Sequence, residues 1–175
     1  MRKIFLLFFF SAMCSHALTG QSMRDNGQVK FRIKNFGLAV EGSFHPPTGK
    51  MAFDPVHPSD SGFDVTVDVN SITTGIGLRD RHLKGPEYFD VGKFPEIHFV
   101  STSIKKGFGD KSWIVTGNLT IKATTLTVSF PFTEIGNDSE RRLQGQFKIN
   151  RLHFGIGGKS LSLGDEVHVI VNAVY

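Results

Sequence analysis

Residues 71–101 read SITTGIGLRDRHLKGPEYFDVGKFPEIHFVS, and the rest of the chain is best understood outward from them. The stretch interrupts a regular series of short apolar–polar alternations. It gathers Arg79, Asp80, Arg81 and His82 into one charged cluster, then returns to strand character at Ile97. Strands patterned with period 2 bury one face by closing on themselves or by facing a second sheet. A non-strand insert of about twenty residues among them is long for a plain connection. It is a lid, a site or a plug. Within it, residues 78–83 predict about a turn and a half of helix. Pro86-Glu87 has the proline-then-acid form of a second helix start. Gly75, Gly77, Gly85 and Gly92 keep any helix short, so the expectation is two short helices.

On the N-terminal side of the insert, Val29, Phe31 and Ile33 alternate with Lys30, Arg32 and Lys34. Leu38, Val40, Gly42 and Phe44 form the apolar face of a second strand. The prolines and glycine of HPPTG (45–49) make a loop, and Met51 and Phe53 begin a return strand, which predicts a hairpin. Phe63, Val65, Val67 and Val69 line up on one face of the next strand. On the C-terminal side, Ile97, Phe99 and Ser101 open a strand, followed by Trp113, Val115, Gly117, Leu119 and Ile121, with Ile114 facing the other way. Leu126, Val128, Phe130 and Phe132 alternate with polar residues, and Pro131, lacking an N–H, predicts an edge or bulge at that strand's far end. Leu143, Gly145, Phe147 and Ile149, then Val167, Val169, Val171 and Ala173, complete the series. Eight or nine strands in a meander predict an antiparallel barrel or a two-sheet sandwich. An eight-stranded barrel is just wide enough to be filled by side chains or to hold one ligand. The apolar inner faces argue against sugars, ions or nucleotides as cargo.

The chain begins with Arg2 and Lys3, an apolar run over 4–10, and an A-x-A-like site at Ser15-His16-Ala17. That is the form of a secretory signal peptide, residues 1–17, cleaved after Ala17. The run is too short to cross a bilayer, which takes about 20 apolar residues. Lipidation of Cys14 is the weaker reading, because Met13 stands where a small residue is preferred. Cys14 is the one cysteine, so the exported remainder has no disulfide and depends on packing. Residues 18–27 form an N-terminal segment and 28–175 the domain. The formal charge of +4 loses Arg2 and Lys3 with the leader, too small a surplus to argue for nucleic acid. Phenylalanine is abundant at 17 residues, and an interior this aromatic is either tightly filled or lines an apolar hollow.

The ordered set Ser71-Ile72-x-Thr74, Arg79-Asp80-x-His82-Leu83-Lys84, Tyr88-Phe89-Asp90 and Lys93-Phe94-Pro95-x-Ile97-x-Phe99-x-Ser101 resembles the YceI-like family of exported polyisoprenoid-binding proteins. Gly117-x-Leu119-Thr120-Ile121, Arg151-x-x-Phe154-Gly155 and Leu163-Gly164-Asp165-Glu166-Val167 resemble further segments of that family. The resemblance implies an all-β fold: an antiparallel eight-stranded, lipocalin-like barrel with a short helical insert between strands. It implies a non-catalytic role in the periplasm, with an isoprenoid lipid or isoprenoid quinone as ligand and no other cofactor. The lipid is the expected partner, with transient membrane contact and a homodimer as further expectations.

The expected ligand-binding residues are Phe31, Ile33, Val40, Val65, Val67, Phe99, Trp113, Val115, Leu119, Val128, Phe130 and Phe147 from the strands. Leu83 and Phe89 join them from a lid over 74–94, and Arg79 and His82 would meet the head group. The bland alternative is that Asp80 caps a short helix and Arg79 ties the insert to the rim. Two rival classes stand beside the lipid binder. One is a small enzyme acting on a lipid head group through Arg79, Asp80 and His82. The other is a structural β-sandwich with a filled core. The histidines are scattered singly, without metal-ligand spacing.

Overall fold

The computed structural model describes residues 21–22, 27–137 and 140–174, so the leader and Cys14 lie outside the described residues. Alternating residues produce ten strands within them. These are β1 (Gln21–Ser22), β2 (Gln28–Asn35), β3 (Leu38–Phe44), β4 (Thr48–Ala52), β5 (Gly62–Asp68), β6 (Glu96–Lys106), β7 (Ser112–Ile121), β8 (Thr124–Asn137), β9 (Glu140–Asn150) and β10 (Leu163–Val174). All join one antiparallel sheet in the order β1-β4-β5-β6-β7-β8-β9-β10-β2-β3. The expected eight strands are therefore ten, one of them only two residues long. The curled, lipocalin-like architecture implied by the resemblance is the one observed, and the two-sheet sandwich that the strand pattern left open is not.

The predicted hairpin over 38–53 does not form. β3 ends the strand order and β4 lies one strand in from its other end, because β4 is flanked by β1 and β5 while β3 pairs with β2, which β10 flanks on its other side (Val169 opposite Phe31, Val171 opposite Val29). Pro46 and Pro47 hold the link extended and lack N–H groups for a tight turn. The chain instead crosses the seam between the sheet's two edges. The insert fastens that seam. Ser43 and Thr73 exchange two backbone hydrogen bonds of 2.9 Å, and the His45 N–H donates to Ser71 Oγ at 2.9 Å.

The insert holds one helix, α1 (Gly77–Lys84), and Pro86-Glu87 starts no second one. Residues 85–94 fold into turns closed by Phe89 N–H to the Leu83 carbonyl (3.1 Å) and Asp90 N–H to the Gly85 carbonyl (2.9 Å). Asp90 sits in the left-handed region at φ 51°, which reverses the chain before a helix can extend. Leu83, Phe89 and Val91 then pack on Val29, Phe44, Val67, Val69 and Ile72. Burying these three determines the path more strongly than the local helix start does.

Pro131 marks a break, but in the other half of its strand than expected. β8 pairs with β7 from Thr124 to Thr133, whereas its ladder with β9 begins only at Phe132 opposite Gly145. Without an N–H at 131 the two strands part on the N-terminal side of the proline. Phe154 and Ile156, in and just after the 3-10 turn Arg151–Phe154, belong to the cluster against which Leu126 and Val128 pack there.

Candidate functional site: a lined hollow with a polar rim

The inward faces do two different things along the barrel. At one end Phe53 meets Trp113 at 4.9 Å and Phe132 at 5.2 Å between ring centroids, and Phe63 meets Phe132 at 5.6 Å. These edge-on contacts plug that end with Met51, Ile104 and Leu143. Farther along, the walls stand apart around a cavity of about 240 Å³. One water needs about 10–15 Å³. This is a compartment, not a packing defect. Val29 and Asn35 both line it, six steps apart on β2, which is about 20 Å at ~3.3 Å per residue.

Glycine beside phenylalanine on the adjoining strand keeps this region open. Gly42 pairs with Phe31, and a Cβ on Gly42 would sit 2.2 Å from the Phe31 ring. A Cβ on Gly117 would lie 2.5 Å from the Phe99 ring. Each ring therefore lies over a neighbouring strand's backbone rather than projecting across the space. Phe130 and Phe147 stack at 4.4 Å and 21°, again as wall.

Polar side chains reach the cavity wall as Asn35, Thr74, Arg79, Tyr88 and Arg151, all on segments at the end opposite the aromatic plug. Arg79 donates from Nε to Thr74 Oγ1 (2.7 Å) and from Nη2 to the Thr74 carbonyl (2.9 Å). Among the described residues its Nη1 has no hydrogen-bond partner. Asp80 accepts from the Thr74 N–H (2.8 Å), the Thr74 hydroxyl and the Thr73 hydroxyl (3.2 Å). The Thr74 hydroxyl leads in holding the Asp80 carboxyl below its ordinary value, against the opposing cost of desolvation. Asp80 is thus no helix cap, since α1 starts without a side-chain capping bond. It clamps the turn that aims Arg79, and Arg79 binds within the insert rather than to the barrel.

Arg151, only 2% exposed, is the other rim cation. Its donors reach the carbonyls of Gly164 (2.8 Å), Ile156 (2.8 Å), Gly158 (2.9 Å) and Leu163 (3.3 Å), and Asp165 Oδ1 at 3.1 Å. A guanidinium so committed organises the 155–164 loop. The loop in turn holds the insert, as the Gly157 N–H donates to the Glu87 carbonyl at 2.9 Å.

Thirteen of the sixteen expected site residues stand on the cavity wall: Phe31, Ile33, Val40, Val65, Val67, Arg79, Leu83, Phe89, Phe99, Val115, Leu119, Phe130 and Phe147. Three do not. Trp113 belongs to the aromatic plug, where ring-to-ring packing fills the space. Val128 packs against the Leu119, Ile121, Phe154 and Ile156 cluster beside the parted ladder. His82 points outward, its ring 5.0 Å from Tyr88 and its Nε2 3.8 Å from Glu87. Residues two apart on a helix do not face each other, so Asp80 and His82 form no acid/base pair. Sequence reasoning missed Thr74, Tyr88 and Arg151. Arg151 stood in a quoted motif, but nothing in its spacing predicted burial.

A curled antiparallel sheet around an apolar compartment, with one helical insert across its polar end, defines a lipocalin-like barrel of the binding type. The chain belongs to the YceI-like family, whose domain description matches residues 22–175. It is 35% identical over 125 residues to a UPF0312 protein of Yersinia enterocolitica, a match covering 70% of this chain and 64% of that protein. A UPF0312 protein of Pectobacterium atrosepticum is 37% identical over 113 residues, covering 64% and 58%. The chain thus spans less than two thirds of the length of these relatives. Among solved structures, BcnA of Burkholderia cenocepacia is similar with a TM-score of 0.81 and 28% identity, covering 85% of this chain and 96% of that one. A polyisoprenoid binding domain from Saccharophagus degradans, at 12% identity and a TM-score of 0.68 (88% and 96% covered), shows the shared fold alone.

Proposed function

We propose that this protein is a non-catalytic carrier that holds the tail of an isoprenoid lipid, such as an isoprenoid quinone, inside the barrel. The observation that carries this reading is the segregation within one compartment: an apolar tube plugged by aromatics at one end, with its polar groups confined to the other. That polarity suits a molecule with a long apolar tail and a single polar head. Arg79, with Nη1 unused, is the group proposed to meet the head, either a phosphate oxygen or a quinone carbonyl. The similarity to a polyisoprenoid binding domain supports the same ligand class. No other cofactor enters the proposal. Export with a leader cleaved after Ala17, drawn from residues 1–17, and transient membrane contact and a homodimer, drawn from the family likeness, belong to the same reading.

The test is mass spectrometry of an organic extract from the purified protein, beside Val115→Asp. An unpaired carboxylate in the wall is costly to bury, so the variant should release its lipid. Wild-type protein that yields no lipid and takes up no added isoprenoid would refute the proposal.

A further inference from the structure

Large apolar side chains are left in solvent at one end of this barrel in a particular pattern. Phe36 (81% exposed) and Leu38 (73%) lie at the β2–β3 turn, Ile76 and Leu78 at the start of α1, and Leu161 in the loop before β10. Each is within two residues of a residue that lines the cavity: Asn35, Val40, Thr74, Arg79 and Leu163. The three segments converge. The Phe36 N–H donates to the Ser162 carbonyl at 2.8 Å, the Gly157 N–H of the same loop donates to the Glu87 carbonyl of the insert at 2.9 Å, and the Ser43–Thr73 bridge ties the start of the insert to the Phe44 end of β3. The exposed residues therefore stand on three linked segments at the polar end of the tube. Isolated exposed apolar residues need no explanation, but several around one opening mark an interaction surface.

The charge around them is predominantly positive. Lys34, Arg81, Lys84 and Lys159 lie on these same segments and, among the described residues, have no carboxylate within ion-pair distance. Of the neighbouring acids, Glu41 is paired with Arg32 (2.6 Å) and Asp165 with Arg151 (3.1 Å), which leaves Asp80 and Glu87 outnumbered by these cations. Apolar fingers with unpaired cations behind them are what an anionic bilayer surface binds, the fingers entering the acyl boundary and the cations staying at the head groups.

We infer that the rim formed by Phe36, Leu38, Ile76, Leu78 and Leu161 docks on an anionic lipid bilayer with the tube's polar end facing the membrane. This rests on the reading of the tube as a lipid site, because docking there joins the compartment to the phase that stores its cargo.

The experiment is co-sedimentation of the full protein with vesicles of phosphatidylcholine alone and of phosphatidylcholine with phosphatidylglycerol. Wild type should partition onto the anionic vesicles and be released by salt. Phe36→Ser combined with Leu161→Ser should weaken that partition about tenfold. Phe108→Ser is the control, since Phe108 is 97% exposed on the β6–β7 turn at the other end. The rim variant should still yield lipid on extraction, while Gly42→Val, which narrows the tube, should lose lipid and still sediment. That split separates failure of docking from failure of the carrier reading. The inference is overturned if wild type ignores anionic vesicles, if Phe108→Ser weakens binding equally, or if the rim residues instead mediate a concentration-dependent dimer that excludes vesicles.

Discussion

The plugged end and the open middle of this barrel are built by the same strands with the same alternation, yet one is solid and the other hollow. At the plug, Phe53, Phe63, Trp113 and Phe132 project toward one another, Phe53 meeting Trp113 and Phe132 and Phe63 meeting Phe132 edge to face, with Trp113 stacked on Phe132. In the middle, Phe31 and Phe99 lie over glycines of adjoining strands. Aromatic content alone therefore does not decide between core and cavity. The adjoining backbone does, because a glycine within a ring's reach on the next strand gives that ring somewhere to lie down.

The largest test of this contrast uses two residues on one face of β8. Phe132→Ala should cost about 3–5 kcal/mol, as for other buried aromatics, because its ring is packed on Phe53, Phe63 and Trp113 at the closed end of the cavity. Phe130→Ala should cost about half that or less, since its ring is only partly buried and packs on Phe99 and Phe147 along the open wall. Equal losses in denaturant midpoint for the two variants would erase the distinction between the zones.

A smaller effect is expected from Gly42→Val. The three atoms nearest a Cβ at this position all belong to the Phe31 ring, which can swing into the tube, so folding should survive while room is lost. Affinity for long-tailed ligands should fall about tenfold, which is about 1.4 kcal/mol. Titration with an isoprenoid series checks this, and unchanged affinity at every tail length would mean that the ring does not set the bore.

The smallest effect concerns the rim. Asp80 is held below its ordinary value of 3.8 by Thr74 first, so its contribution to fixing the insert is present above that pH. It should be lost as pH falls through the depressed value. Hydrogen exchange of the 73–76 amides should quicken only in that acidic window, and Asp80→Asn should remove the dependence. Quickening that starts near neutral pH would assign the effect to another group.

Much of the barrel was legible because period 2 is a local property. Val65, Val67, Phe99, Val115 and Leu119 could be assigned to the inner face from their neighbours alone, and they line the cavity. The motif around Arg79 and Asp80 marked the rim for the same reason, as a break in that period. The failures share a different cause. Where the β2–β3 pair joins the barrel depends on β10 claiming the free edge of β2, an interaction between residues more than a hundred positions apart. Trp113 and Phe99 both alternate correctly, but only ring packing separates plug from wall. His82 sits beside Asp80 in sequence and points away from it in space.

Residue order by itself determined an all-β chain with one non-strand insert, since strand faces and chain breaks are written in nearest-neighbour chemistry. Tertiary structure alone decided where the strands close, which aromatics fill and which merely line, and that Arg151 is buried among carbonyls. Those outcomes depend on which distant backbones come within reach of one another, and spacing along a chain carries no record of that.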